Sequence, residues 1–354
     1  DVTLGCAYSA KKDYESSITA FKSAIKINNK IAQVHFYLGE SYRKLNKYND
    51  AISSFYNTTE LSPDHVGAYL LLGVVYQEKK QFDLAINAFQ KCIEIMPDYA
   101  EAHLNLGLCY LLIGDYENGW REYEWRRKLI KESSDKLSKE WSGQNLENKT
   151  LLVLDEGADG NLIHFIRFIR ELKKESCKVI VQCSEEAMSL IKNQKWVDKA
   201  ITADEYPEHD YYIPIGSLMN VLKYNPNHHE QTFPYIEVDT DKISKDNTDQ
   251  VSIGLVFETD KNSNAHDDES IEPGLFENIF TEEHNVICLD KYVTDKTLPG
   301  YCSKHISYSN LEELSTAISN LDLIITVDHL VAHLAGALNI DTILMLPCVP
   351  NWRW

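Results

Sequence analysis

Leu-Gly recurs at 4/5, 38/39, 72/73 and 106/107, and a tyrosine follows each pair at Tyr8, Tyr42, Tyr76 and Tyr110, so a period of 34 residues holds through four copies. The same phase places rings at Tyr14, Tyr48, Phe82 and Tyr116, small residues at Ser17, Ala51, Ala85 and Gly119, and a second ring at Phe21, Phe55, Phe89 and Tyr123. A period of this length is one helix-turn-helix unit per copy, and each unit buries its apolar face only against its neighbours. The glycine lets the first helix approach the second, the small residue takes their crossing, and the rings fill the gap to the next unit. Pro63 and Pro97 end the second helices of two copies.

This pattern resembles the tetratricopeptide repeat, which implies an α-solenoid over residues 1–130. Such arrays carry a concave groove lined by their first helices, and the phase puts Glu40, Arg43, Val74, Gln77, Leu108 and Leu111 there. The set is mixed in charge and suits an extended peptide or a partner helix. It is equally what a scaffold face that binds nothing would show. The chain opens partway into the first helix of copy one, so further repeats are expected before it.

Lys and Arg number 35 against 54 Asp and Glu, a net charge of -19, which argues against nucleic acid or an anionic membrane as partner. No apolar run is long enough to span a bilayer. The eight cysteines (6, 92, 109, 177, 183, 288, 302 and 348) form no CxxC pair, so reduced thiols and a cytoplasmic location are expected.

The charged, Ser-rich stretch 131–150 reads as a linker. Beyond it apolar runs alternate with helical segments. Strands are predicted at 151–155, 178–183, 211–215, 251–257, 285–290, 321–328 and 342–346, and helices at 161–174, 185–193, 311–320 and 329–338. Alternating β and α implies parallel, doubly wound sheets. The polar stretch 239–250 divides them into two Rossmann-like halves, 151–245 and 246–354, with a ligand cleft expected at the carboxyl ends of their strands.

Four segments occur in a recognisable order: "GDYENGWREYEWR" (114–126), "WSGQNLENKTLLV" (141–153), "LDLIITVDHLVAHLAGAL" (321–338) and "PNWRW" (350–354). Together they resemble bacterial tetratricopeptide proteins with a heptosyltransferase-like glycosyltransferase domain of the GT-B fold. The resemblance implies inverting sugar transfer from a nucleotide-sugar to a protein acceptor such as flagellin, and no cofactor is expected beyond that substrate. It also implies a second half that continues past Trp354, so the last elements are expected to be missing.

By the same resemblance the donor diphosphate sits where strand 321–328 meets helix 329–338, a helix N-terminus and so an anion site. The donor-binding residues are then Gly160, Asp328, His329, His333 and Gly336. Asp328 accepts from a ribose or sugar hydroxyl and His333 donates to phosphate; the alternatives are an N-cap and a core histidine. His329 and His333 lie one turn apart, but no third metal ligand is evident. In the first half the family pattern is Glu-Gln-Gly-x-Gly-Asp, its last residue the general base. Here the matching residues are Glu156, Gly157, Ala158, Asp159, Gly160 and Asn161. Asn161 takes no proton, which leaves Asp159 as a possible substitute. Phe257, Glu258, Thr259 and Asp260 replace a Trp-Ser-Gly-Asn-like turn, and Glu269 replaces an arginine; residues 258–290 hold ten carboxylates and one lysine. Close like charges cost on the order of 1 kcal/mol per pair even in water, so this rim opposes a diphosphate. Two readings stay open, a sugar transferase with an altered site and a pseudoenzyme that serves as an interaction scaffold.

Overall fold

The computed structural model describes all residues except 130–136, 158, 173–175, 229–231, 240–249, 259–269, 282, 292, 294–296, 348–349 and 352. The chain divides into two compact units, Asp1–Glu132 with Val349–Trp354, and Ser133–Cys348.

The first unit contains α1 (Val2–Ala10), α2 (Tyr14–Ile27), α3 (Ala32–Lys44), α4 (Tyr48–Leu61), α5 (Val66–Glu78), α6 (Phe82–Ile95), α7 (Ala100–Leu112) and α8 (Tyr116–Tyr123). Each odd helix turns into the next through one left-handed residue: Lys12, Asn46, Lys80 and Gly114, with φ of 61°, 57°, 56° and 84°. The following N–H returns to the tyrosine carbonyl five residues back, as in Lys47 N to Tyr42 O at 2.9 Å and Gln81 N to Tyr76 O at 2.8 Å. This bond satisfies a helix-terminal carbonyl and sets the reversal.

The glycines of the first three repeats, Gly5, Gly39 and Gly73, are seats for rings, while Gly107 lies against the backbone of Glu122 and Tyr123. A Cβ added at Gly39 would lie 2.6 Å from Cε1 of Phe55, and one at Gly5 would lie 2.7 Å from Cδ1 of Phe21. Phe21 also stacks on Tyr37 of the next repeat, with centroids 5.8 Å apart. The second ring thus fills its own repeat's glycine notch as well as the gap to the next copy. Ser17 Oγ donates to Gly5 O at the first crossing, at 3.0 Å. At the fourth repeat His103 places Nδ1 2.6 Å from Glu122 Oε2 and Nε2 2.9 Å from Pro97 O, while Trp125 stacks on its ring at 3.7 Å.

The second unit holds two five-stranded sheets, and every strand pairing in both is parallel. The first sheet comprises β1 (Lys139–Glu140), β2 (Thr150–Leu154), β3 (Lys178–Gln182), β4 (Lys199–Ile201) and β5 (Tyr211–Pro214) in the order β1-β5-β2-β3-β4. The second comprises β6 (Val251–Val256), β7 (His284–Cys288), β8 (Lys304–His305), β9 (Leu323–Thr326) and β10 (Thr342–Leu344) in the order β10-β9-β6-β7-β8. From the central strand, β2 in the first sheet and β6 in the second, the chain builds outward to one side and then crosses to the other; in the first sheet the short β1 precedes β2 and lies at the far edge. A reversal of that kind leaves a crevice beyond the carboxyl end of the central strand. Leu151, Leu152 and Val153 of β2 are fully buried, as a strand covered on both faces requires.

Helices α9 (Asp159–Phe165), α10 (Ile169–Leu172), α11 (Met188–Lys192), α12 (Leu218–Val221), α13 (Leu311–Ile318) and α14 (Leu330–Leu338) cover the sheets. The helix expected over 161–174 is broken by a 3₁₀ turn at Ile166–Phe168, so α9 and α10 are separate. The stretch read as a linker is built into the first sheet over its later part. Lys139 and Glu140 pair with β5, Trp141 is 3% exposed and Leu146 is fully buried. Its residues 131–136 lie outside the described ones, as do Thr259, Asp260, Glu269, Trp352 and most of the divider at 239–250. Seven described cysteines are free thiols, and no helix among the described residues is long and apolar enough to cross a membrane.

Candidate functional site

The crevice of the first sheet opens beyond β2, where Asp155, Glu156 and Gly157 lead into α9. Gly157 turns the chain with φ 85°, a value that an L side chain rarely adopts. Glu156 Oε2 accepts the Gly216 N–H at 2.8 Å, tying the exit of β2 to the exit of β5. Asp159 Oδ1 accepts from Ser184 Oγ at 2.8 Å, tying the start of α9 to the exit of β3. Asp155 carries no signal of its own in the sequence. Its Oδ1 is buried with no hydrogen-bond partner among the described residues. Burial raises its carboxyl from the usual 3.8 to about 6; the Asp159 and Glu156 charges add to the rise, and the N–H groups of Gly157 and Glu156 oppose it. Beside it, burial pushes the Cys183 thiol up to about 12, helped by Asp155 and Asp159, so it is no nucleophile at neutral pH.

The crevice of the second sheet opens between β6 and β9. The exit of β6 is held by Asp290, 2% exposed, whose carboxylate accepts the N–H groups of Phe257 at 3.2 Å and Glu258 at 3.0 Å. Burial raises the Asp290 carboxyl, and these N–H groups and the nearby His329 work against the rise. Glu258 also keeps a buried oxygen, Oε2, with no partner among the described residues. Asp155, directly after β2, and Glu258, two residues after β6, thus each keep one buried oxygen with no partner among the described residues.

The exit of β9 runs through Asp328 to His329, which is the N-cap of α14 with extended φ and ψ of -147° and 159°. Its Nδ1 accepts the Val331 N–H at 3.2 Å, and its carbonyl accepts the Ala332 N–H at 2.9 Å. The cap is thus His329 and not Asp328, which lies half-buried one residue earlier. The imidazole takes a helix N–H that an anion would otherwise receive.

The two switch-point helices meet directly. A Cβ at Gly160 of α9 would stand 3.1 Å from Cδ2 of His333 of α14, and the His164 and His333 rings meet edge to face at 5.6 Å. His333 is 8% exposed and fills the notch at Gly160, so its ring joins the halves. Of the predicted site residues, Gly160 and His333 are thus brought into contact, while Asp159 and Asn161 lie at the start of α9 and His329 at the start of α14. Gly336 is away from both starts: it is exposed, a Cβ there would meet nothing within 4 Å, and it lies about 9 Å along α14 from the N-terminus. No group of three His, Cys, Asp or Glu residues suited to a metal occurs among the described residues.

Of the groove residues, Glu40, Val74, Gln77 and Leu108 are half-buried. Desolvation raises the Glu40 carboxyl, and Arg43 and Lys44 draw it down. Arg43 is tied to Glu78 of the next repeat, Nη1 to Oε1 at 3.7 Å. Leu111 is a correction: it is 2% exposed and packs over Gly119, where an added Cβ would lie 2.6 Å from Leu111 Cδ2. The short α8 closes over it, so it belongs to the core of the fourth repeat.

Family models of the tetratricopeptide repeat match residues 2–31, 38–95 and 78–114. No curated protein matches the chain. Among solved structures, two of MamA are similar at 24% and 27% identity, covering 36% of this chain and 74% and 70% of theirs, each with a TM-score of 0.35. A thermophilic TPR protein of Thermus thermophilus is similar at 23% identity, covering 36% of this chain and 72% of its own, with a TM-score of 0.32. The 34-residue period, the eight paired helices and the family-model matches agree that the N-terminal region is an array of tetratricopeptide repeats.

Proposed function

We propose that this chain is a tetratricopeptide-scaffolded sugar transferase of the GT-B kind. It moves a sugar from a nucleotide-sugar to a hydroxyl of a protein acceptor, of the flagellin type, recruited by the repeats. Two Rossmann-like halves hold the reaction, and the second, from about residue 246, carries the donor at the start of α14. The observation that carries the reading is the pair of parallel sheets, each with a switch point, whose helices α9 and α14 touch through Gly160 and His333. A ligand at both switch points meets one crevice with two walls. The repeats supply a protein-binding surface, the role such arrays serve.

A second reading is favoured by a separate observation. The His329 imidazole caps α14, and Asn161 stands where the family base would be, so a body without chemistry would act as an interaction scaffold. Calorimetric titration of the full chain with UDP, GDP, ADP and CMP separates the two. Saturable binding of one nucleotide supports the transferase, and heats no larger than dilution for all four support the scaffold.

A further inference from the structure

The outer face of α1 is open where the same positions of the later repeats are closed. Leu4 is 51% exposed, whereas Leu38, Leu72 and Leu106, at successive periods after it, are 7%, 2% and 4% exposed. Ala7 is exposed, whereas Ser41, Val75 and Cys109 are 1%, 0% and 0% exposed. Helices α3, α5 and α7 each pack against the second helix of the repeat before, α2, α4 and α6, while α1 packs on α2 and α3. The composition of α1 is that of a covered helix. Val2–Ala10 holds no Asp, Glu, Lys or Arg in a chain that is 25% charged. A helix without a charged face is one that is enclosed.

We propose that this face docks on α1 of a second copy of the chain, antiparallel across a two-fold axis. The aromatic row is closed at the far end of the array: Trp120 and Tyr123 of α8 are 3% and 8% exposed, and the Arg126 guanidinium lies over the Tyr123 ring at 4.6 Å. Head-to-tail stacking of copies needs two open ends, so the symmetry left to α1 is a two-fold onto itself. The face suits that symmetry. Its exposed residues Thr3, Leu4, Ala7, Ala10 and Lys11 centre on Ala7. In an antiparallel pair crossing there, the two Ala7 side chains meet at the axis and Leu4 of one copy lies over Ala10 of the other. Large thus opposes small, and no charge is buried because Lys11 reaches water at the edge. A helix of nine residues is about 14 Å long, and such a face is smaller than the roughly 800 Å² per partner of a standard interface, so the dimer forms at micromolar concentrations. The second helix of a further repeat would cover the same residues, so the two occupants exclude each other.

Sedimentation equilibrium of the full chain from about 1 to 200 µM tests this. The mass should rise with concentration from 40.6 kDa toward twice that value. Ala7→Glu should stay monomeric throughout with its far-ultraviolet circular dichroism unchanged, since the side chain is exposed and only the docked pair buries it. Leu4→Glu should weaken the dimer at least about tenfold. In a Cys6→Ser background, Ala7→Cys should join two copies by a disulfide on mild oxidation, because only an axis at Ala7 brings the two thiols together. A parent that stays at 40.6 kDa at every concentration overturns the proposal. A dimer that Ala7→Glu leaves intact, or that Ala7→Cys does not cross-link, uses another face and overturns it as well. Saturable binding of a synthetic peptide of residues 82–95, the α6 helix, to a monomeric parent but not to Ala7→Glu also overturns it, and assigns the face to the second helix of a further repeat.

Discussion

Replacing Gly73 by Ala in α5 tests the packing that the 34-residue period encodes. A Cβ there would stand 2.6 Å from both Cδ1 and Cζ of Phe89, and closer still to Cε1. Carbon atoms rest at about 3.5–4.0 Å, so the ring must retreat by roughly 1 Å. Phe89 is fully buried and has nowhere to go without moving α6. Overpacking of this kind costs about 1–3 kcal/mol, and alanine in place of glycine returns about 1 kcal/mol of helix propensity. The single variant should therefore lose up to about 2 kcal/mol. The sharper test is the double-mutant cycle. Phe89→Ala alone should cost about 3–5 kcal/mol, and on that background Gly73→Ala should stabilise by up to about 1 kcal/mol, because the clash is gone and the propensity gain stays. Urea denaturation followed by far-ultraviolet circular dichroism reads the helical unit. Effects that add within about 0.5 kcal/mol would refute the notch-and-ring account, as would a Gly73→Leu variant that melts like the parent.

Three further outcomes are expected. His103→Ala should destabilise the fourth repeat by about 1–3 kcal/mol in urea, because it removes the hydrogen-bond partner of Oε2 of the half-buried Glu122 and the stacking surface of Trp125. Asp155→Asn should stabilise the chain in a pH-dependent way. A carboxyl raised in the fold from 3.8 to about 6 contributes stability below pH 3.8 that is lost as pH rises through about 6, a span of about 3 kcal/mol; Tm of the variant should therefore exceed the parent's at pH 7 and match it at pH 4. His329→Ala should lose about 0.5–2 kcal/mol of helix cap by thermal melting yet tighten UDP binding, since the Val331 N–H is released toward an anion.

Periodicity made most of the fold legible. The rows of Gly5, Gly39 and Gly73 and of Phe21, Phe55 and Phe89 are a local pattern repeated in phase, and seven predicted strands overlap β2, β3, β5, β6, β7, β9 and β10. The edge strands β1, β4 and β8 escape, because two or three residues carry no period, whereas the equally short edge strand β10 lies inside the longer apolar run 342–346. Lys139 and Glu140 read as linker since their pairing with β5 spans some 70 residues and no local signal reports it. At the site, the gathering of Gly160 and His333 follows from two turns whose types are readable, but the ring that fills the notch is a tertiary fact. The His329 cap is hidden for a different reason: histidine is a rare cap, and Asp328 beside it is a common one. Asp155 is hard to single out because "VLDEG" and the residues after it hold three candidate groups within reach, Asp155, Glu156 and Asp159, and only the partners Ser184 and Gly216 show which oxygen is left.

Hydrogen exchange of the full chain, with and without saturating UDP, GDP, ADP or CMP, tests most directly whether the two switch points form one nucleotide-sugar site. With the nucleotide that binds, exchange is expected to slow at residues 156–161 and 328–332 together, while α3 to α6 stay unchanged. Slowing confined to the repeats, or to one switch point without the other, would contradict a shared crevice between α9 and α14.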